Sequence, residues 1–262
     1  MRALHTAATG MMAQELNVQV ISNNIANMRT TGYKRQRAEF QDLLYEHVRR
    51  IGTQTSSQGN ILPDGIDLGA GVKTVGTPRL MTQGTIAQTG ADLNLAIRGE
   101  GFFKVLMPDG TFTYTRDGSF EMDAQGRIVT AAGNVVQPSI TIPSNAQSIS
   151  INAQGQVSAT LPGTTTPNVL GQIALTRFIN KAGLQAVGDN LFVETPASGT
   201  PQDGVPATDG FGDVQQGNLE QANVEAVTEI TDLIAAQRAY EMNGKVITAA
   251  DQMLQSTSNL MR

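Results

Sequence analysis

Each end of this chain carries a seven-residue apolar repeat that a lone helix cannot bury. Near the N-terminus Leu4, Met11, Val18 and Ile25 recur every seven residues, and a second row, Ala7, Gln14, Ile21 and Met28, follows each member by three. That spacing puts both rows on one seam of a helix, the a/d pattern of helices that bundle. Only Gln14 interrupts it. Near the C-terminus Leu233, Tyr240, Ile247, Leu254 and Met261 again step by seven, with Val246, Met253 and Leu260 beside them. The repeats predict helices from about Ala3 to Met28 and from Asn223 almost to Arg262, roughly 40 Å and 55–60 Å long at 1.5 Å per residue. Gly32 is suited to a left-handed conformation after the first helix. Asn223 reads as the N-cap of the second, with Glu225 and Glu229 near its positive end. Two seams on one chain point to assembly, with subunits bundling their end helices round a shared axis.

The middle of the chain has a different character. The chain as a whole has 27 glycines, most of them in this middle part, 10 prolines, 5% aromatic residues and no Trp, which favours turns and short strands over a dense enzyme-like core. Residues 72–205 read as β. Asp117-Gly118, between TFTYTR and SFEM, predicts a hairpin, and turns at 123–126 and 132–134 extend it to a meander over 111–136. Residues 196–213 are rich in Pro, Gly and Asp and are expected to form a linker. The stretch QGTIAQ at 83–88 is echoed by QGNLEQ at 216–221, so these two segments are expected to pair or to mirror each other. Residues 52–71 are polar and Gly-rich, which fits a flexible loop or a hairpin-like extension that packs on neighbouring subunits. In the second case Ile61, Leu62 and Pro63 supply a stiff apolar contact and Asp64-Gly65 a reversing turn.

The expected fold class is therefore α+β, with N- and C-terminal helices in a coiled-coil core layer, a mostly antiparallel β middle domain and an extended hairpin-like arm. The expected division is residues 1–30 with 222–262 as an inner helical core, 31–71 with 206–221 as a connecting region bearing the arm, and 72–205 as the β-domain.

Chemistry is hard to find. The absence of Cys excludes disulfides, Cys-based zinc sites and thiol catalysis. His5 and His47 are the only histidines; they form no HxxxH or HExxH pattern, and no nucleophile-elbow sequence is present. The Asp-Gly pairs read as turns. With 23 acidic residues, a paired-carboxylate hydrolase stays open. No catalytic residue, cofactor or metal ligand is assigned. No apolar run is long enough for a membrane span, and His5, Thr6, Thr9, Gln14 and Glu15 interrupt any signal-peptide core. The basic excess at Arg29–Arg37 and Arg49–Arg50 lacks the aromatic interleaving of a nucleic-acid site and reads as local ion pairing.

Polar residues cluster where a bundle would not normally put them: Asn23, Asn24 and Asn27 in SNNIAN, and Gln237, Arg238, Tyr240 and Asn243 in AAQRAYEMN. Near a seam such residues fix register and partner. The expected subunit contacts are Leu4, Met11, Val18, Ile21, Asn24, Ile25, Met28, Ile61, Leu62, Leu233, Gln237, Arg238, Tyr240, Asn243, Ile247 and Leu254.

The stretch SNNIANMRTTGYKRQRAEFQDLL resembles the N-terminal signature of the bacterial flagellar rod and hook axial proteins. LAIRGEGFF and YTRDGSF are similar to that family's β-domain, and LEQANVEAVTEITDLIAAQRAYEMNGKVITAADQML resembles its C-terminal signature. The resemblance runs nearly end to end. Chain length, QPSITIPSNAQSISI and a polar insert after DLLYE resemble the distal rod subunits more than the hook protein, with its large extra domain.

The resemblance implies a non-enzymatic homo-oligomer that stacks helically into a tubular driveshaft in the periplasm. Export would run through the flagellar type III apparatus without a cleaved signal peptide. Other rod proteins and hook or hook-junction proteins would adjoin its ends, and rings in the peptidoglycan and outer membrane would surround it. It further implies terminal helices lining a central channel, the β-domain outside, and a stiffening role for the insert at 47–65. The remaining alternatives are a proximal rod protein of the same family and, in another class, a secreted peptidoglycan hydrolase.

Overall fold

The structure, a computed structural model, describes residues 2–49, 64–163 and 166–260. Ile61, Leu62, Pro63 and Met261 lie outside the described residues. The chain folds as two compact units: a helical unit from residues 1–25, 36–78 and 225–262, and a β unit from Ala26–Arg35 and Arg79–Val224.

In the helical unit, α1 spans Arg2–Ala26 and α2 spans Ala226–Leu260. They meet antiparallel: Asn24 near the end of α1 donates to Glu229 near the start of α2, and Gly10 faces Asn243. Between the helices in sequence, β1 (Glu39–Asp42) pairs antiparallel with β4 (Val72–Gly76), and β2 (Tyr45–Arg49) with β3 (Ile66–Gly69). Part of the polar stretch expected as either loop or extension is thus a paired strand, with Tyr45 opposite Gly69 and His47 opposite Asp67. The ribbon rests on α1 at Gly71, whose φ is +113°; a Cβ there would come within 2.2 Å of Thr9 Oγ1. Only glycine permits both that backbone conformation and that approach.

The β unit centres on a nine-stranded sheet. Its main path joins β16 (Gln185–Gly188), β17 (Leu191–Val193), β8 (Phe112–Thr115), β7 (Phe102–Leu106), β11 (Val135–Gln137), β10 (Ile128–Thr130) and β9 (Phe120–Met122). Alongside, β15 (Leu175–Arg177) pairs with β7 and with β18 (Gln202–Gly204). A separate three-stranded sheet holds β12 (Ser148–Ile151), β13 (Gln156–Thr160) and β14 (Asn168–Gln172). Two short ladders return the chain toward its exit: β19 (Asp213–Gln216) on β6 (Leu95–Arg98), and β20 (Asn218–Glu220) on β5 (Ile86–Gln88). The last ladder joins the two echoing segments, with Leu219 opposite Ala87. One core gathers aliphatic residues such as Leu95, Ile97, Val157 and Leu175 round Phe103 and Phe120. A second is aromatic, with Phe102, Tyr114, Phe178 and Phe192 meeting edge to face.

Three local expectations are corrected. Asp117-Gly118 does not close a hairpin, since β8 pairs with β7 and β17 while β9 pairs with β10. The Asp117 carboxylate instead accepts from the N–H and hydroxyl of Ser119, and the buried Gly118 carbonyl accepts from Leu95 N–H at 3.0 Å. These bonds carry the chain across from one side of the sheet to the other, so the meander begins at β9. Residues 196–213 are not merely a linker, because β18 lies within them and pairs with β15. Asn223 does not cap α2. Its side chain accepts from Arg35 N–H at 2.7 Å and donates to Leu80 and Thr82, and the helix starts three residues later, at Ala226.

Candidate functional site

The contact between α1 and α2 is made by the wrong residues for an ordinary amphipathic pair. On α1 the buried positions are Ala7, Ala13, Val20, Ile21 and Asn24. On α2 they are Glu229, Ala236 and Ala250, a row in steps of seven that also takes in the half-buried Asn243. Polar Asn24 meets polar Glu229, and small Gly10 lies against Asn243. Asn24 is 1% exposed and fully engaged: Nδ2 donates to Gln36 O (2.9 Å) and to Glu229 Oε2 (3.1 Å), while Oδ1 accepts from Gln36 N–H (3.0 Å). A buried amide satisfied on both sides fixes the register of the helices it joins.

The large apolar side chains are left outside this contact. On α2, Val227, Ile230, Ile234, Tyr240, Met242, Val246, Met253 and Leu254 are 45–73% exposed. Leu233 and Ile247 are half-buried, whereas Gln237 and Arg238 are exposed. On α1, Leu4, Met11, Val18 and Ile25 are half-buried and Met12 is 65% exposed. Their row lies roughly 100° round the helix from the buried stripe at 3.6 residues per turn. Met28, beyond the helix end, is half-buried in the β unit. Of the expected contact residues, Ile21 and Asn24 are therefore taken up inside the chain. The seven-residue rows of both helices remain partly or largely uncovered.

A second polar centre lies in the β unit; the sequence pointed to ion pairing at Arg29–Arg37 but gave neither the partner nor the burial. Lys34 and Glu220, both 1% exposed, form an ion pair at 2.6 Å. Lys34 Nζ also donates to Thr82 O (2.8 Å), and Glu220 Oε1 accepts from Gly84 N–H (2.9 Å). Arg116, 5% exposed, places Nε 3.7 Å from Glu220 Oε2 and donates to Gly99 O at 2.6 Å. Burial pushes the Lys34 ammonium below its ordinary pKa against the opposing pull of Glu220. The Arg116 guanidinium is lowered for the same reason. The available signal was the run of charges in YKRQR together with the lone Glu of QGNLEQ.

Clefts are shallow in chemistry. One of about 350 Å³ is lined by Thr115, Asp117, Ser119, Thr130, Asp189 and Asn190, but the Asp117 carboxylate there is occupied by Ser119. His47 Nδ1 lies 2.6 Å from Asp67 Oδ1 on the exposed ribbon. Among the described residues no helix is long and apolar enough to cross a membrane.

Three family models match the chain: "Flagella basal body rod protein" over residues 4–34, "Flagellar hook protein FlgE/F/G D1 domain" over 96–159, and "Flagellar basal body rod FlgEFG protein C-terminal" over 215–260. The chain is 56% identical over 260 residues to the flagellar basal-body rod protein FlgG of Caulobacter vibrioides, covering 99% of each. It is 50% identical over 262 residues to that of Agrobacterium fabrum, covering all of both. To the rod protein FlgF of Caulobacter vibrioides it is 35% identical over 264 residues, covering 99% of this chain and 95% of the other. End-to-end likeness of this strength, higher to FlgG than to FlgF of the same bacterium, establishes that the chain belongs to the flagellar basal-body rod protein family, among its FlgG members.

Proposed function

We propose that this chain is a structural subunit of the flagellar distal rod, polymerising helically into the rigid tube that carries motor torque to the hook. One observation supports it most: the two helices meet at Asn24 with Glu229 and at Gly10 with Asn243, while α2 turns its large apolar side chains outward. Eight exposed apolar side chains on one helix are a liability in a monomer and an adhesive in an array. Burying each half-exposed Leu, Ile or Met contributes on the order of 1 kcal/mol, and a helical lattice repeats that gain at every subunit.

In this reading residues 1–30 and 222–262 form the inner core of the tube, joined between copies by coiled-coil contacts. Leu4, Met11, Val18, Ile25, Leu233, Tyr240, Ile247 and Leu254 make them, with Gln237, Arg238 and Asn243 setting register. Residues 31–71 with 206–221 connect that core to the β-domain at 72–205. The segment 47–65, with Ile61 and Leu62, acts as an arm that braces neighbouring subunits and resists the sliding that bending requires. Other rod proteins and hook or hook-junction proteins adjoin the tube, rings in the peptidoglycan and outer membrane surround it, and the type III apparatus delivers its subunits to the periplasmic side.

The test is electron microscopy of basal bodies from cells in which the gene is deleted. The expected product is a rod that stops short of the outer-membrane ring and carries no hook, restored by the intact gene. Full-length rods with hooks would refute the role. In a strain deleted only for residues 47–65, curved and flexible rods are expected; straight, stiff rods would refute bracing while leaving the rod assignment intact.

A further inference from the structure

We propose that the Lys34–Glu220–Arg116 cluster is a closure lock, which lets the β unit complete its fold only when the segment after α1 and the segment before α2 are both in place. The paired residues are 186 positions apart in the chain. Around them four separate stretches converge. Gly32 N–H donates to Glu220 O at 2.8 Å and Gly84 N–H to Glu220 Oε1, while Asn223 ties Arg35 to Leu80 and Thr82. The backbones are too close for side chains at two of these points. A Cβ on Gly84 would lie 1.9 Å from Gln221 O, and one on Gly32, at φ +67°, 2.6 Å from Asp117 N.

The charges explain why closure is conditional. Two cations share one carboxylate, and all three groups are buried. Without Glu220 the two buried cations keep only the carbonyls of Thr82 and Gly99 and, for Arg116, the pull of Glu100, so the site carries excess positive charge in a low-dielectric interior, a state disfavoured. The depressed Lys34 ammonium fits a site where burial opposes its charge. The ladder between β5 and β20 has only three residue pairs, too few to hold the cluster together alone. Arg116 directly follows β8, a strand inside the main sheet, so the sheet feels whether the cluster is complete. A chain synthesised from its N-terminus presents Lys34 first, Arg116 before it is half made, and Glu220 only after four-fifths of its length. The β unit therefore stays open until the chain is nearly all present. This concerns the folding of the subunit itself and would stand or fall whether or not the subunit builds a rod.

Hydrogen exchange on the purified full-length chain tests it, comparing wild type with Glu220→Gln, Lys34→Met and the double variant Lys34→Met/Glu220→Met. Loss of one member of a buried pair predicts that Glu220→Gln reduces protection roughly a hundredfold or more, throughout β7 and β8 as well as β5 and β20. Lys34→Met, which leaves a neutral Arg116–Glu220 pair, has a much smaller effect. The double variant, with one buried cation instead of two, regains protection relative to Glu220→Gln. In pulse-labelled refolding of wild type, β7 and β8 acquire protection together with β20. Equal losses for the two single variants, losses confined to β5 and β20, or β7 and β8 protected well before β20 would each overturn the lock.

Discussion

Replacing Gly118 with Ala isolates the feature that sequence reasoning placed wrongly. Gly118 is buried, and its backbone is not in the left-handed region, so conformational strain plays no part. An added Cβ would sit 1.6 Å from the Leu95 carbonyl oxygen and 2.7 Å from its carbon, both backbone atoms that cannot rotate away. Relief requires separating two main-chain segments by well over 1 Å. That breaks the Leu95 N–H bond to Gly118 O (3.0 Å) and displaces Leu95 and Phe120, which are 1% and 3% exposed in the main core. A lost backbone hydrogen bond costs about 1 kcal/mol, and loosening two large core side chains about 2–4 kcal/mol more.

The expected loss is about 3–5 kcal/mol, which lowers Tm by roughly 6–20 °C for a unit of this size. Gly133→Ala is the control. It has φ +84° and no atom within 4 Å of its Cβ, so only left-handed strain of about 1 kcal/mol applies. Near-UV circular dichroism of the aromatic cluster during thermal unfolding reads both variants. A Gly118→Ala protein as stable as Gly133→Ala would refute the crossing geometry and restore the hairpin.

Asn24→Leu removes three hydrogen bonds from a buried amide, one of them to the Glu229 carboxylate. The helical unit should lose about 3–5 kcal/mol, seen as a lower urea midpoint at 222 nm; an unchanged midpoint would show that the amide does not set the register. Leu254→Asp, on a side chain 45% exposed, should leave subunit folding unchanged while abolishing rod assembly, because each copy would bury a charge costing several kcal/mol. Swimming and complete basal bodies in that strain would remove Leu254 from the contact. Ile25→Asp, at a half-buried position, should also abolish rod assembly, with some loss of subunit stability, by the same assays.

Much of the fold was legible because it rests on periodicity and turn chemistry. The seven-residue rows located both helices to within a few residues, and the QGTIAQ and QGNLEQ echo located a strand pair. The turns at Asp123–Gly126 and Thr130–Gly133 close by backbone bonds of 3.0 and 2.8 Å. What escaped depends on contacts distant in sequence. Asp117-Gly118 has the local chemistry of a hairpin, but Leu95, more than twenty residues away, decides its path. Asn223 is a good cap in isolation and a better partner for Arg35 and Thr82 in the fold. On the face joining α1 to α2 the sequence marked Ile21, Asn24 and Asn243 but assigned them to contacts between subunits, and it passed over Ala13, Ala236 and Ala250, because hydrophobicity marks large side chains. The Arg29–Arg37 charges read as local ion pairing, but the partner of Lys34 is Glu220, 186 positions away and buried, and neither distance nor burial leaves a trace in periodicity.

The central claim is that the outward apolar rows of the terminal helices become covered by other copies of the chain. Because the protein contains no cysteine, a single one can report this. Met253→Cys and Ile234→Cys, at positions 64% and 47% exposed, should react readily with a maleimide in the purified subunit. Ile179→Cys, at a position 81% exposed in the β unit, serves as reference. In isolated basal bodies the two helix positions should become at least about tenfold slower to label than in the free subunit, in keeping with burial at a packed interface. Labelling of Met253→Cys and Ile234→Cys at the free-subunit rate within intact basal bodies would contradict the account.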